Sequence, residues 1–323
     1  MLTLTACTGD AHAADLGAPL PAGVVWLDLL APSPDEIAFA ERVTGLRMPT
    51  RESLLEIERS SRVYTDHGAF YLSTPILYPI DGAQPRATPL GFVLSKAVLV
   101  TLRYEPLHAF DDARAQLARE GGALVGPMAP FVVILEAIVD RVADGLEQVG
   151  GALDEVSQKV FNDVGVARRP REQNERLREV LQRIGHAGDV ASNVRDSLLG
   201  LRRIVTYVIN QAGERLGPAR ERLEVVRDDV ASLDDYKQHL SDKTQFLLDA
   251  TLGFTNIDQN NIFRILTVVS VVAVPPTLMA GVYGMNFKNM PEYNWDYGYQ
   301  YGWAVILLSG LLPLLWFKRR GWL

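Results

Sequence analysis

The chain has 323 residues, enough for roughly two domains of about 150 residues each and for a sizeable core. Its 32 Lys and Arg against 39 Asp and Glu leave a net charge of −7, which excludes a strongly basic nucleic-acid binder. Charged residues make up 22%, too many for a mostly intramembrane protein, yet mean hydropathy is +0.04. A polar body joined to a very apolar segment satisfies both. The single cysteine, Cys7, excludes an intrachain disulfide and any cysteine-based zinc or iron–sulfur site.

Leu4-Thr5-Ala6-Cys7 looks like a lipoprotein cleavage box, but no basic n-region or apolar h-region precedes it. Residues 1–21, rich in Ala, Gly and Pro, are therefore predicted to be a disordered tail. Val24 to Leu29 reads as a short apolar strand. Ser33-Pro34-Asp35-Glu36 supplies an N-cap, an N1 proline and first-turn acids for a helix through about Val43. Arg51 to Ser60 reads as a second short helix and Ala69 to Leu77 as a strand. Leu90–Leu94 and Ala97–Leu102 read as a hairpin across Ser95-Lys96. This mixed region ends near Gly126-Pro127.

After Pro130 the pattern turns helical. Ile134, Ile138, Val142, Leu146 and Leu153 keep helical spacing through a helix from Val132 to Val160. A turn near Arg168–Pro170 precedes a helix from Glu172 to about Gln211, and Gly213 and Pro218 break the chain again. No proline follows Pro218 until Pro275, so one helix is predicted from Ala219 to about Tyr283, ~100 Å long. That length implies a stalk.

Ile265–Tyr283 and Tyr301–Phe317 contain no charge; the first matches the length needed to cross a bilayer, and the second, near the lower limit, reaches it when Tyr299 and Gln300 join it. Arg264 precedes the first span, and Lys318, Arg319 and Arg320 follow the second. The intervening loop holds Lys288, Glu292 and Asp296 and is net negative. Positive-inside logic places both termini in the cytoplasm. Tyr293, Trp295, Tyr297, Tyr299, Tyr301 and Trp303 form an outer aromatic belt; Trp316, Phe317 and Trp322 form an inner one.

Two spans cannot enclose a pore, so conduction requires an oligomer with an axial face. Asp228, Asp235, Asp242 and Asp249 recur every seven residues, and Asn256 continues the series. Steps of four and three extend this face through Asn260, Phe263, Thr267, Ser270, Val274, Thr277 and Gly281. Polar groups in a span usually face protein or water, and a symmetric oligomer makes each position a ring. A second stripe, Val226, Val230, Leu233, Leu240, Leu247 and Phe254, suits packing. Amides and hydroxyls suit hydrated Mg2+, which dehydrates reluctantly. A site for bare zinc calls for histidine or cysteine, and His12, His67, His108, His186 and His239 form no close pair. No GxxxxGK[ST] pattern occurs, and Gly121-Gly122 reads as a loop, so no nucleotide partner is expected. Nothing marks an enzyme: no close nucleophile–base motif appears.

Gly284-Met285-Asn286 stands between the spans, followed by Phe287, Met290-Pro291-Glu292, Trp295 and Gly298. Together with Gly253–Asn260, Pro275-Pro276-Thr277 and Phe317–Leu323, this resembles the CorA family of divalent-cation transporters. The close resemblance covers about Leu247 to Leu323; upstream, Trp26-Leu27-Asp28 resembles the family's first strand. The resemblance implies a funnel-shaped homopentamer in the bacterial inner membrane. Its fold would be an α+β cytoplasmic domain followed by a long helical stalk and two transmembrane helices. The corresponding domains are 22–128 (α/β), 129–218 (helical hairpin), 219–264 (stalk) and 265–323 (pore domain). Within the last, the spans cover about 265–284 and 299–317, joined by an outer loop at 285–298.

Gly284, Met285 and Asn286 would form the selectivity filter, with Glu292 and Asp296 in the outer loop. Asn260 would match a polar ring, Leu266 and Val274 apolar constrictions, and Asp249 an acidic ring at the cytoplasmic mouth. The family function would be passive, potential-driven Mg2+ influx that also admits Co2+, with Ni2+ as a further candidate. Each charge moved gains ~2.3 kcal/mol per 100 mV. Mg2+ between cytoplasmic domains would close the channel, with Asp228 and Asp229 as candidate ligands. Met285 and Met290-Pro291-Glu292 favour the magnesium and cobalt branch; Lys288 departs from the acidic residue common there. The alternatives are a zinc transporter of the same fold and a membrane-anchored sensor that does not conduct.

Overall fold

Seven strands form one mixed sheet in the order β2-β1-β3-β7-β6-β5-β4. They are β1 (Leu2–Ala6), β2 (Ala11–Ala13), β3 (Val24–Leu30), β4 (Val63–Asp66), β5 (Ala69–Tyr78), β6 (Arg86–Leu94) and β7 (Leu99–Arg103). The structure, a computed structural model, describes all residues except 7–8, 57, 59–61, 79–85, 121–125, 163–169, 286–289 and 323. It divides into two compact units, Met1–Leu248 and Asp249–Leu323.

In the first unit β3 and β7 pair in parallel, with Trp26 opposite Leu99 and Asp28 opposite Thr101. The other pairings are antiparallel. Both faces of the sheet are covered, so β3 and β7 are buried on both sides. One face buries Leu27, Leu29, Val93, Val100 and Leu102 with Phe39 of α1 (Pro34–Thr44) and Leu54 of α2 (Arg51–Leu55). The opposite face buries Trp26, Phe92 and Leu99 against α3 (His108–Glu120) and α4 (Met128–Asn162). The same core continues into α5 (Pro170–Ala212) and the first part of α6 (Ala219–Tyr283).

Ser33 caps α1 as its residue type predicts. Its side chain accepts the Glu36 amide while Glu36 reaches back to the Ser33 amide, a complete capping box. Ser95 closes the β6–β7 hairpin by accepting the amides of Ala97 and Val98. The α6 bounds coincide with the sequence reading, and α4 and α5 extend it by a few residues.

The predicted tail is corrected. Residues 2–6 and 11–13 are strands, and β1 pairs with β3, burying Leu2 and Leu4. Alternation of leucine and threonine over five residues is too short to stand out from a small-residue segment. Gly9, at φ +85°, lies against the backbone of Ala118, where a Cβ would lie 2.6 Å from its nitrogen. The helix read from Arg51 to Ser60 stops at Leu55. Strand β4 and helix α3 are additions to the sequence reading. Cys7, Gly121-Gly122 and most of the turn near Arg168 lie outside the described residues.

In the second unit, α6 and α7 (Gly298–Arg319) each hold a window apolar enough to cross a membrane, with mean hydropathy 2.1 and 1.5. Only 6% of either window is buried, which separates both from the core helix of a soluble protein. A 3-10 turn at Pro291–Asn294 lies between them.

Candidate functional site

The α6 segment of the second unit presents two distinct faces. Val268 is buried, and Val272, Pro275, Pro276, Met279 and Tyr283 are partly buried. Gly310 of α7 packs on this face: a Cβ there would lie 3.0 Å from Pro276 Cγ and 3.4 Å from the Val272 carbonyl oxygen. Pro276 has no N–H to give that carbonyl, which stands four residues before it. A residue without a side chain thus approaches the point where the helix ladder is interrupted, as close packing between membrane helices requires.

The other face carries Asn256, Asn260, Phe263, Thr267, Ser270, Val274, Thr277 and Gly281, all exposed, with Leu266 beside them. At 3.6 residues per turn this stripe lies roughly 160° from the α7-facing one. It is therefore available to neighbours other than α7.

Two hydroxyls on this face have a defined polarity. Thr267 Oγ1 donates to the Phe263 carbonyl and Thr277 Oγ1 to the Ala273 carbonyl, each at 2.8 Å. A hydroxyl has one hydrogen, and here it points into the parent helix. The oxygen lone pairs remain directed outward. Such a surface accepts hydrogen bonds from water, including the water shell of a hydrated cation.

Beyond α6, Gly284 and Met285 donate to the Ala280 and Val282 carbonyls at 3.0 and 3.2 Å. They continue the helical turn and are exposed. Asn286, the remaining member of the predicted filter, lies outside the described residues, as do Phe287 and Lys288. In the outer loop Glu292 is half-buried and Asp296 exposed. The Glu292 carbonyl accepts the Trp295 amide and abuts Gly298, leaving no room there for a Cβ. The Trp295 and Tyr301 rings meet edge-on at 5.5 Å.

Asp249 is exposed near the start of this unit's share of α6. In the first unit Asp228 is exposed and paired with Arg227 at 2.9 Å. Asp229 faces Asp140 of α4, whose carboxyl is pushed above the usual range by burial, then by Glu136, Asp144, Asp229 and Asp112. The sequence reading named only Asp228 and Asp229 here, and none of the carboxylates beside Asp229. The signal was present: Glu136, Asp140 and Asp144 recur every four residues and so share one helix face. No group of three or more His, Cys, Asp or Glu is arranged to hold a metal among the described residues.

Close by, Arg222 of α6 bridges Glu136 of α4 and Glu120 of α3, at 2.7 Å to Glu136 Oε1 and 2.9 Å to Glu120 Oε2. The Glu136 hydrogen bond, against burial and helped by Glu120, raises the Arg222 pKa. Burial acts to raise Glu120, but hydrogen bonds from Arg222 and Gln116 outweigh it and hold the carboxyl below its usual range.

A family model described as CorA-like Mg2+ transporter protein matches residues 21–319, nearly the whole chain. The chain belongs to the CorA family. The magnesium transport protein CorA of Salmonella typhimurium is 31% identical over 303 residues, 93% of this chain and 92% of that one. The solved CorA magnesium transporter of Methanocaldococcus jannaschii has a TM-score of 0.78 at 20% identity, covering 100% of this chain and 98% of its own. The ZntB cytoplasmic domain of Vibrio parahaemolyticus has a TM-score of 0.59 at 13% identity, covering 79% and 98%. As a CorA-family chain it is a membrane transporter of divalent cations, not an enzyme. Its architecture is an α+β domain, a long helix and two membrane-spanning helices.

Proposed function

We propose that the protein conducts Mg2+ passively into the cell, down the membrane potential, through a homopentameric pore lined by α6. Co2+ is a further cargo, and Ni2+ a candidate. The observation that carries this reading is the polar stripe of α6 on the face turned away from α7, where Thr267 and Thr277 present hydroxyl lone pairs outward. Hydrated Mg2+ keeps several waters, and those waters need acceptors. The likeness to magnesium transport proteins at 31% identity supports the same cargo. Gly284, Met285 and Asn286 form the filter, Glu292 and Asp296 draw cations to it, and Leu266 and Val274 constrict the closed pore.

Both termini are cytoplasmic and the membrane is the bacterial inner membrane. Intracellular Mg2+ closes the pore by bridging acidic surfaces of neighbouring subunits at Asp228 and Asp229; the charge of Asp229 already helps to push the Asp140 carboxyl up.

The test is Mg2+ flux into proteoliposomes, wild type against Asn286→Ala, with Co2+ and Zn2+ as competitors. Flux that is lost in the variant and competed by Co2+ is the expected result. Zn2+ flux without Mg2+ flux would move the protein to zinc transport, although neither span contains histidine or cysteine. No metal flux from a correctly assembled protein would leave a non-conducting sensor and refute the proposal.

A further inference from the structure

The chain after α7 does not trail away; it folds back on the helix. The Trp322 amide donates to the Phe317 carbonyl at 3.1 Å and the Gly321 amide to the Lys318 carbonyl at 3.2 Å. Gly321 has φ +70°. These bonds are the two of a Schellman cap, and its accompanying apolar contact is present too. The Trp322 and Phe317 rings stack at 5.4 Å, and Trp316 meets Phe317 edge-on at 5.1 Å. Phe317 is consequently 3% exposed, while Trp316 and Trp322 remain exposed beside it.

Lys318, Arg319 and Arg320 follow Phe317 directly in the chain and are exposed, and the Arg320 guanidinium lies 5.3 Å from the centre of the Trp316 ring. The cap's own amides satisfy the Phe317 and Lys318 carbonyls, so the cations are not needed there. No carboxylate occurs between Gly298 and Trp322. Asp296, the acid that precedes α7 in the chain, is about 33 Å away along the helix axis. None of the three cations has a carboxylate partner among the described residues.

We propose that this capped end of α7 is a binding site for the headgroup of an anionic phospholipid, resting on the reading that α7 spans the membrane. Tryptophan rings settle at headgroup depth, and uncompensated Lys and Arg there attract anionic lipid. The phosphodiester meets Lys318, Arg319 and Arg320, and an acyl chain lies along the exposed Leu312 and Leu315. The apolar flank commits the site to a lipid, since free phosphate has no use for it. The cap serves to hold Trp322, and with it the ring contacts, in one position.

The experiment compares quenching of tryptophan fluorescence by brominated phosphatidylglycerol and brominated phosphatidylcholine, using the full-length protein reconstituted in vesicles. Wild type is expected to prefer phosphatidylglycerol. The Lys318→Gln/Arg319→Gln/Arg320→Gln triple variant should reduce that preference by at least about fivefold, the worth of one such charge near the surface. The Arg319→Lys/Arg320→Lys variant keeps the charge and should keep the preference, which separates headgroup binding from damage to the fold. Added salt at 0.5 M should weaken the wild-type preference, by about the screening expected when the Debye length shortens from ~10 Å to a few ångströms. No preference in wild type, or an equal preference in the triple glutamine variant, overturns the proposal. Competition by soluble glycerol phosphate also overturns it, because it identifies a phosphate site rather than a lipid site. Because lipid preference and ion flux are separate readouts, failure here leaves the transport reading standing.

Discussion

Replacing Thr277 by valine tests the transport reading at a single oxygen. Valine has nearly the same shape and the same β-branching, so the helix and its packing are retained. What disappears is the hydroxyl that donates to the Ala273 carbonyl at 2.8 Å and turns its lone pairs outward. That carbonyl keeps its ordinary partner, the residue 277 amide four positions on, so the helix loses little. The side chain is exposed, and the hydrophobic core is untouched. A hydrogen bond to a passing hydrated ion is worth ~0.5–1.5 kcal/mol, and ~1.4 kcal/mol is tenfold in rate. One lost acceptor therefore slows Mg2+ flux about fivefold, and a ring of them slows it by more than tenfold. Thr277→Ser keeps the acceptor and should keep most of the flux. The assay is Mg2+ uptake into proteoliposomes at fixed potential, with assembly checked by size-exclusion chromatography. Unchanged flux in the valine variant would falsify the assignment of this α6 face to the ion path.

Other perturbations address the supporting structure. Gly310→Val forces a side chain against Pro276 and the Val272 carbonyl; overpacking of this kind costs ~1–3 kcal/mol, so the detergent-solubilised protein should melt earlier, with Gly310→Ala intermediate. Asp28→Ala leaves Arg103, paired with Asp28 at 2.8 Å, and Arg114 without their buried carboxylate; breaking such a pair costs ~3–5 kcal/mol, visible as a large fall in thermal stability of the full chain. Asp140→Asn should raise thermal stability near neutral pH. A carboxyl whose folded pKa is raised stabilises fully below its unfolded pKa and loses that contribution as pH rises through the folded value. The advantage of asparagine should accordingly shrink as pH falls toward 4, and a constant advantage across pH would refute this cause.

Long periodic helices were legible because many residues repeat the same message. The α6 bounds, Ala219–Tyr283, follow from an unbroken helical pattern between Pro218 and the glycine after Tyr283, and Pro275-Pro276 did not end it. The Ser33 cap was legible because its partners lie within three residues. The polar stripe of the first span was legible for the same reason: helical geometry converts spacing directly into a face. Its orientation relative to α7 was not. That depends on Gly310 meeting Pro276, a contact between residues 34 positions apart that no spacing rule predicts.

The sheet shows the same limit more strongly. Trp26, Leu27 and Asp28 read as an apolar strand containing one acid, and nothing local says why an acid is tolerated at 1% exposure. The reason is supplied from far along the chain. Thr101 donates to Asp28 Oδ1 at 2.9 Å, Arg103 grips both carboxylate oxygens, and Arg114 reaches in from α3. Phe110 and Trp26 in turn lie beneath the Arg103 and Arg114 guanidiniums. Parallel pairing of β3 with β7 brings these groups together across some 75 residues. The same holds for β1, whose five residues become a strand only because β3 offers a free edge and Leu2 and Leu4 find a core. The sequence by itself determined the long helices, the spans and the chemical character of their faces, because those arise from interactions within a few residues. Tertiary structure decided the strand order, the buried ion cluster and which face of each span is left open, because those depend on partners that only folding brings within reach.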